Sequence, residues 1–421
     1  MSSRRGFVKS GALAVFGISM GGIPSFVLKA VSQFNSNKLY KKNKILVCIF
    51  QRGAMDGLMA VTPFTDTFLK AARPTLFMSA AKLDANKLID LDGRFGLHPS
   101  MKAFEQLYKN KQLAIVHGIG SPNNSRSHFD AQDFMESGTP FNKGTESGWL
   151  NRAVGLMGHD ATPFRAVSMT ASQPRSFYGL HPTVSIANLE DFAINNRKST
   201  ADINLTAKSF EDLYDQTTSG LLQHTGKETF DAVKMLSNVD VKNYQPANGA
   251  QYPKSSLGNS LKQIAQLIKA DVGLEIGFAE STGWDTHFNQ GTSNGIFARN
   301  VADLSNSIAA FWTDMGANYQ DDVVIMTMTE FGRTVKQNGS GGTDHGRASC
   351  NFILGNYLKG GIVHGDVKPL AIENLEDGRD VAVTTDFRAV FSEVADKHLL
   401  LNNDHLLFPD WKGTHLDLFN T

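Results

Sequence analysis

Short continuous apolar runs alternate along this chain with longer segments that have helical spacing, and this alternation constrains the fold more than any other feature. Runs of this kind suit strands that are buried on both faces, as in a parallel sheet. The predicted strands are Lys44–Phe50, Leu113–Val116, Leu274–Phe278 and Val323–Met328. The predicted helices are Met101–Tyr108, Phe129–Met135, Leu257–Lys269, Ile296–Met315 and Phe387–Leu400. Strands alternating with helices predict an α/β layered domain with a mostly parallel sheet, here over residues 44–421.

The first thirty residues have the character of a twin-arginine export signal. Arg4 and Arg5 lie within the run Ser3–Lys9, and a mildly apolar stretch, Gly11–Leu28, follows. Glycine, serine and proline dilute that stretch, which makes it a poor membrane-spanning helix. We therefore expect export by the twin-arginine machinery and a periplasmic or exported location. No clean cleavage site follows, so retention of the signal as an N-terminal anchor stays open, and residues 31–43 are interpreted as a linker.

Composition narrows the function classes. Lysine plus arginine and aspartate plus glutamate each number 41, and the formal net charge is zero. This unclustered balance argues against a nucleic-acid partner and against a polybasic membrane patch. Cys48 and Cys350 are expected to be buried apolar side chains, although an exported protein could pair them. Residues 195–253 are polar and are interpreted as a helical insertion.

Chemically active side chains follow each of the four predicted strands. Ligands in an open α/β sheet bind beyond the carboxyl ends of the strands, where these groups should converge. Aspartate and histidine together suit one or two ions of Zn²⁺, Mn²⁺ or Fe. A helix cap for Asp56 and a turn for Asp344 are the structural alternatives. The candidate metal ligands are Asp56 after the first strand, Asp285 and His287 after the third, and Glu330, Asp344 and His345 after the fourth.

The segment Ser125–His128 enters the second predicted helix, and a helix start attracts anions and lowers the pKa of a nearby nucleophile. A serine there is either an N-cap or a metal-activated nucleophile. Ser127 is the first choice as nucleophile because His128 adjoins it, and Ser125 is the second. Three arginines, Arg52, Arg126 and Arg333, are candidates to bind an anionic group, with ordinary salt bridges as the alternative.

These motifs together resemble an exported bacterial family, domain of unknown function 1501. The resemblance rests on the twin-arginine start and on motifs spread over nearly the whole chain. These are Arg52–Gly57, Arg126–Asp133, Gly148–Leu150, Gly283–His287, Thr329–Thr334, Thr343–Gly346 and Thr385–Arg388. The family resembles a branch of the alkaline phosphatase and sulfatase superfamily. That resemblance implies a doubly wound sheet with helices on both faces, a one-metal or two-metal centre, and a nucleophile at a helix start.

The resemblance to the superfamily implies metal ligands in this chain, in two alternative assignments. Asp56 would be the metal ligand of the first strand, and Asp285 with His287 would be the pair for the other metal. Either Asp344 and His345 form the next pair, or Glu330 is the ligand and His345 is the last histidine. No cysteine lies near Arg126, so a formylglycine sulfatase is not expected.

The sequence favours an exported metal-dependent hydrolase of a phosphate or sulfate ester that uses a serine nucleophile. Its substrate would be a small or polymeric anionic ester. One alternative is a superfamily relative without catalytic activity that acts as a periplasmic or surface binding protein. Another is a phosphomutase or phosphotransferase that uses the same centre.

Overall fold

The computed structural model describes residues 43–81, 87–159, 161–189 and 243–420. The predicted export signal, nearly all of the predicted linker and most of the predicted helical insertion lie outside the described residues. The described residues form a large mixed sheet, a small antiparallel sheet and the helices packed around them.

The large sheet is parallel except for one strand. Its order is β11-β5-β10-β9-β1-β8-β6-β7, and β12 pairs with β5 beside this path. Among the described strands of this sheet, only β10 runs antiparallel, against both β5 and β9. The strands are β1 (Ile45–Gln51), β5 (Leu113–Gly120), β6 (Ala166–Ser168), β7 (Val184–Ser185), β8 (Ile276–Ser281), β9 (Val323–Met328), β10 (Ser349–Leu354), β11 (Val363–His364) and β12 (Thr385–Asp386).

Helices cover both faces of this sheet. The α-helices are α1 (Gly57–Ala60), α2 (Thr67–Ala72), α3 (Lys102–Lys109), α4 (His128–Ser137), α5 (Trp149–Leu156), α6 (Ser256–Lys269), α7 (Ile296–Tyr319), α8 (Phe387–Lys397) and α9 (Asp404–Leu407). Side chains of α3, α6 and α7 pack on one face, and those of α5 and α8 pack on the other. The small sheet, of order β2-β4-β3, consists of β2 (Val61–Pro63), β3 (Ile89–Asp90) and β4 (Phe95–Leu97).

The central strand β1 explains the continuous apolar run in the sequence. Ile45, Val47 and Ile49 belong to the core on the α3, α6 and α7 side. Leu46, Cys48 and Phe50 belong to the core on the opposite side. Because successive side chains of a strand point to opposite faces, a strand between two helical layers needs apolar residues at every position.

The predicted fold class is confirmed. The four predicted strands correspond to β1, β5, β8 and β9, and the predicted helices correspond to α3, α4, α6, α7 and α8. Cys48 and Cys350 are buried and unpaired, as expected, and burial raises the pKa of both thiols. No helix among the described residues is both long and apolar enough to cross a bilayer.

The strand directions determine where the polar loops lie. Strands β8 and β9 flank β1 in parallel, and β5 has the same direction because β10 is antiparallel to both β5 and β9. The segments that leave β1, β5, β8 and β9 therefore emerge at one edge of the sheet.

Candidate metal centre

Four side chains from three of these segments converge at that edge, and we refer to them as the histidine cluster. His128 begins α4 after β5, Asp285 and His287 follow β8, and His345 lies in the loop after β9. One ligand atom from each of His128, Asp285 and His345 lies within 4.8 Å of the others. The predicted convergence of groups from separate strand ends is therefore present for these four residues.

The carboxylate of Asp285 is the centre of the histidine cluster. Its Oδ1 lies 3.0 Å from His287 Nε2, 3.3 Å from His345 Nε2 and 3.5 Å from His128 Nε2. The Nε2 atoms of His287 and His345 are 2.9 Å apart. In a tetrahedral site with bonds typical of zinc, neighbouring ligand atoms are about 3.3 Å apart. These four separations bracket that value, which is the spacing expected between neighbouring ligands of one ion of this size.

The other nitrogen of each imidazole is bound to an acceptor outside the cluster. His128 Nδ1 donates to Glu330 Oε1 at 2.7 Å, and His287 Nδ1 donates to Asp344 Oδ1 at 3.0 Å. His345 Nδ1 donates to the carbonyl oxygen of Arg126 at 2.8 Å. Metal-binding histidines almost always have such a partner on the second nitrogen, because it fixes the tautomer and the orientation of the ring.

These outer bonds determine what the inner nitrogens present. With the proton on Nδ1, a neutral imidazole has a lone pair at Nε2. The Nε2 atoms of His287 and His345 then lie 2.9 Å apart, which is repulsive for two lone pairs unless a proton or a metal ion lies between them, and Arg333 Nη1 lies 3.4 Å from His287 Nε2. His128 Nε2 is buried and has no hydrogen-bond partner. A divalent ion would satisfy all three nitrogens and the Asp285 carboxylate together.

The carboxylates around the cluster are held in their charged forms. Burial alone would raise the pKa of Asp285, but the Arg333 guanidinium, at 2.6 Å, holds it below its usual range. Burial is likewise outweighed at Glu330, whose pKa is lowered by hydrogen bonds, the largest from His128. Hydrogen bonds from Asn338 and then His287 lower the pKa of Asp344. Arg333 thus balances the charge of Asp285, while Glu330 and Asp344 accept from the outer nitrogens of His128 and His287.

The pKa values of His128 and His345 are shifted in opposite directions. The hydrogen bond to Glu330 raises the pKa of His128 above its usual value. Burial lowers the pKa of His345, and the nearby cationic groups add to this effect. The two rings lie 4.4 Å apart, centroid to centroid, in a T-shaped arrangement.

Arg333 is part of the framework of the site. Its side chain is fully buried and donates to the carbonyl oxygens of Gly53, Ala54, Trp284 and Thr343, as well as to Asp285. These bonds join the segments that follow β1, β8 and β9. Arg333 Nη1 also lies 3.4 Å from His287 Nε2, so its hydrogen-bonding directions are used inside the protein, and binding of an anionic substrate by Arg333 stays a prediction.

The other two candidate arginines are also paired. Arg52 forms salt bridges of 2.7 Å with both Glu136 and Glu280. Arg126 binds the buried carboxylate of Asp380 at 2.5 Å and Asp377 at 2.8 Å. The structure thus favours the salt-bridge alternative for both side chains over substrate binding, while the backbone carbonyl of Arg126 orients His345.

Glu330 and Asp344, by which the two predicted ligand assignments differ, both lie outside the histidine cluster. The Oε1 atom of Glu330 accepts from His128, from Gln132 Nε2 at 2.9 Å and from the Gly53 amide at 2.9 Å. Asp344 accepts from His287 and from Asn338. In the structure, Glu330 and Asp344 therefore orient histidines from outside the cluster instead of binding beside Asp285.

Asp56 lies apart from the imidazoles and has a structural role. It caps α1, with Oδ1 accepting from the Met59 amide at 3.2 Å, and forms a buried ion pair with Arg73 at 2.8 Å. Gln290 Nε2 donates to its Oδ2 at 2.7 Å. The helix-cap alternative describes the structure, in which protein donors occupy both carboxylate oxygens; the metal-ligand role of Asp56 stays a prediction.

The two candidate nucleophiles differ in their hydrogen bonds. Ser127 is the N-cap residue of α4 by position, yet its hydroxyl makes no capping hydrogen bond and its side chain is exposed. Ser125 Oγ accepts from the Ser127 amide at 3.2 Å. Ser127 directly precedes His128, so of the two serines it combines a free hydroxyl with a position adjoining the cluster.

Sequence reasoning missed the side chains that hold the cluster together. Gln132 lies one helical turn after His128, so both side chains reach Glu330 from one face of α4, and this spacing was a readable signal. Asn338 binds the backbone and the partner of His287 from within the loop after β9. Its involvement depends on how that loop folds back, which no local pattern encodes.

A family model places the chain among known proteins. The model described as "Protein of unknown function (DUF1501)" matches residues 43–407. The chain belongs to this family. The suspected family membership is thus confirmed, and no curated protein sequence matches this DUF1501 chain significantly.

Two solved structures are distantly similar to the DUF1501 chain. One is the alkaline phosphatase from the Antarctic bacterium TAB5, with a TM-score of 0.33 and 11% identity over 75% of this chain and 92% of that one. The other is the PH0037 protein from Pyrococcus horikoshii, with a TM-score of 0.23 and 12% identity over 89% of this chain and 100% of that one.

Proposed function

We propose that the histidine cluster binds one divalent transition-metal ion, with zinc the best match to its donors. The observation that carries this proposal is the set of three imidazoles whose Nδ1 atoms are all held from outside while their Nε2 atoms face one carboxylate. Three nitrogens and one oxygen complete a four-coordinate site or leave room for one further ligand.

On this basis the DUF1501 chain is a metal-dependent hydrolase of a phosphate or sulfate ester. The ion would serve as a Lewis acid toward the ester oxygen and lower the pKa of a nearby hydroxyl. Ser127 supplies that hydroxyl as the nucleophile. The first amide groups of α4 lie next to it and can donate to the charged oxygens of the ester. The alkaline phosphatase and sulfatase resemblance of the sequence motifs supports this choice of substrate class.

Elemental analysis and an ester assay test the proposal together. We expect about one equivalent of metal per chain, and hydrolysis of p-nitrophenyl phosphate or p-nitrophenyl sulfate that chelation abolishes and the metal restores. His287→Ala should lower both metal content and rate by roughly a hundredfold or more. His405→Ala is the matched control, because it removes an exposed histidine outside the histidine cluster, and it should change neither the metal content nor the rate. A rate that survives chelation and dialysis would contradict the proposal.

The nucleophile is tested separately from the metal. Ser127→Ala should abolish turnover while leaving the metal content at the wild-type level, because the hydroxyl is not among the ligands. Ser125→Ala should retain most of the activity, since its hydroxyl accepts a backbone hydrogen bond that stabilises the loop. Loss of turnover in Ser125→Ala with activity preserved in Ser127→Ala would reverse the assignment.

A second candidate is a metal-free binding protein without catalytic activity, and Arg333 is the observation that favours it. The guanidinium already neutralises Asp285 at 2.6 Å, and none of the three candidate arginines is free to bind an anion. Such a protein would contain no stoichiometric metal after expression through its native export route. The same elemental analysis therefore separates the two candidates.

We also propose that the chain is exported by the twin-arginine route to the periplasm. The support is the paired Arg4 and Arg5 ahead of a mildly apolar stretch. Replacing both with lysine should leave the protein in the cytoplasmic fraction, whereas the wild type should be recovered outside it. An unchanged distribution would exclude this route.

A further inference from the structure

One buried glutamine joins three of the segments that leave the sheet. Gln290 is fully buried, and its Nε2 donates to Asp56 Oδ2 at 2.7 Å. Its Oε1 accepts from Thr286 Oγ1 at 2.9 Å and from Thr343 Oγ1 at 2.8 Å. Its Nε2 also donates to Met59 Sδ at 3.3 Å, so the side-chain amide is used at both ends, twice as a donor and twice as an acceptor.

Each group that Gln290 contacts is next to the histidine cluster in sequence or anchors it to the core. Thr286 lies between Asp285 and His287, and Thr343 precedes Asp344 and His345. Both threonine side chains are buried, at 2% and 0% exposure, so an unpaired hydroxyl there would be costly. The contacts of Gln290 therefore set the separation of two loops that carry ligand atoms.

Asp56 connects this arrangement to the framework. Its partner Arg73 also donates to the carbonyl oxygens of Thr334 at 2.8 Å and Val335 at 2.9 Å. The two ligand-bearing loops are paired directly as well, because the Thr343 amide donates to the Thr286 carbonyl and the Gln290 amide donates to the Gly341 carbonyl. The glutamine side chain closes this pairing from the buried side.

We infer that Gln290 is a positioning residue that holds the loops of His287 and His345 in register, and that Asp56 acts through it. This inference rests on the proposed metal site. Glutamine suits the position because one end must donate to a carboxylate while the other must accept from two hydroxyls. A methionine of similar size would fill the space but provide neither function.

The experiment compares Gln290→Met with wild type by two measurements, metal dissociation constant and amide hydrogen exchange. The metal constant is measured with zinc in competition with a chelator, and exchange is followed at the amides of Gln290 and Thr343. The matched control is Gln112→Met, since Gln112 also joins two segments, donating to Asn356 at 2.9 Å, but lies at the start of β5 at the opposite edge of the sheet. Thr343→Val, which removes a single hydroxyl bond, is the milder variant should Gln290→Met fail to fold.

We expect Gln290→Met to raise the zinc dissociation constant by about tenfold and to speed exchange at both amides, with a smaller change of the same sign in Thr343→Val. Gln112→Met should change neither quantity. Unchanged values, or faster exchange with an unchanged zinc constant, would overturn the inference. If wild type binds no zinc, the proposed function fails, whereas the exchange rates still decide whether Gln290 holds the two loops together.

Discussion

At the scale of single residues, the acceptors behind the histidines determine what the cluster can bind. An isolated imidazole beside a strand end carries little information, because either nitrogen can hold its proton. In this protein Glu330, Asp344 and the Arg126 carbonyl fix the proton on Nδ1 of all three rings. The sequence indicated Glu330 and Asp344 as candidate metal ligands, whereas in the folded chain both accept hydrogen bonds from the outer nitrogens of histidines.

Glu330 and Asp344 should differ in how strongly they support the metal. Glu330 is fully buried and accepts from four groups, whereas the Asp344 side chain is 57% exposed. We expect Glu330→Gln to weaken zinc binding by about 10- to 100-fold and Asp344→Asn to weaken it less, because water can replace an exposed acceptor. Chelator competition at fixed pH measures both constants. Equal effects of the two variants would contradict this ordering.

At the scale of elements, four long parallel strands of the large sheet were predictable, whereas the shorter strands, β10 and the loops were not. Because β1, β5, β8 and β9 are buried on both faces, each has a continuous apolar run in the sequence. Strand β10 (Ser-Cys-Asn-Phe-Ile-Leu) contains polar residues and was not predicted. The position of the cluster followed from strand direction alone. The roles of Asp56 and Arg333 did not, because they depend on Arg73 and on backbone carbonyls that are distant in sequence.

Gly332 shows how closely these elements approach one another. A Cβ on this residue would lie 1.9 Å from the Ala348 carbonyl oxygen, and Gly332 and Gly346 are joined by a backbone hydrogen bond next to His345. Gly332→Ala should therefore displace the His345 loop, lower the free energy of unfolding by about 1–3 kcal/mol and weaken zinc binding. Urea denaturation and chelator competition measure the two effects.

Gly339 provides the matched control for that substitution. It lies in the same loop, and a Cβ there would meet no atom within 4 Å. Gly339→Ala is expected to leave both stability and zinc binding near the wild-type values. A wild-type zinc constant in Gly332→Ala would show that the close approach does not position His345.

At the scale of the whole molecule, the stability of the fold depends on buried histidines that lie outside the histidine cluster. The cluster histidines present lone pairs to one another, whereas His98 and His117 are buried elsewhere with both nitrogens satisfied. His98 Nδ1 accepts from the Ser100 amide at 3.1 Å, and His117 Nδ1 accepts from the Gly118 amide at 2.9 Å. Protonation would set one N–H against another, so both rings must stay neutral in the folded protein.

Acidification should therefore destabilise the fold over a defined interval. Burial lowers the pKa of both His98 and His117 from 6.5 to about 4, although the hydrogen bonds to backbone carbonyls act in the other direction. At His117 the charge of Arg94 lowers the pKa further and that of Asp56 raises it. Between these values the unfolded chain binds more protons than the folded one. Stability is thus fully present above pH 6.5 and falls as the pH approaches 4, by about 3 kcal/mol for each histidine at most.

Urea denaturation of the metal-free protein across this interval measures the effect. The variant His98→Gln should be less stable than wild type at pH 7.5, because glutamine replaces a well-packed ring. Its stability should nevertheless fall less steeply between pH 6.5 and 4, since one of three buried histidines whose pKa is lowered to about 4 is gone, the others being His117 and His398. His405→Gln, on an exposed histidine, should keep the wild-type slope. A wild-type slope in His98→Gln would mean that the acid sensitivity arises from other groups and that protonation of the buried His98 ring does not limit the stability of the fold.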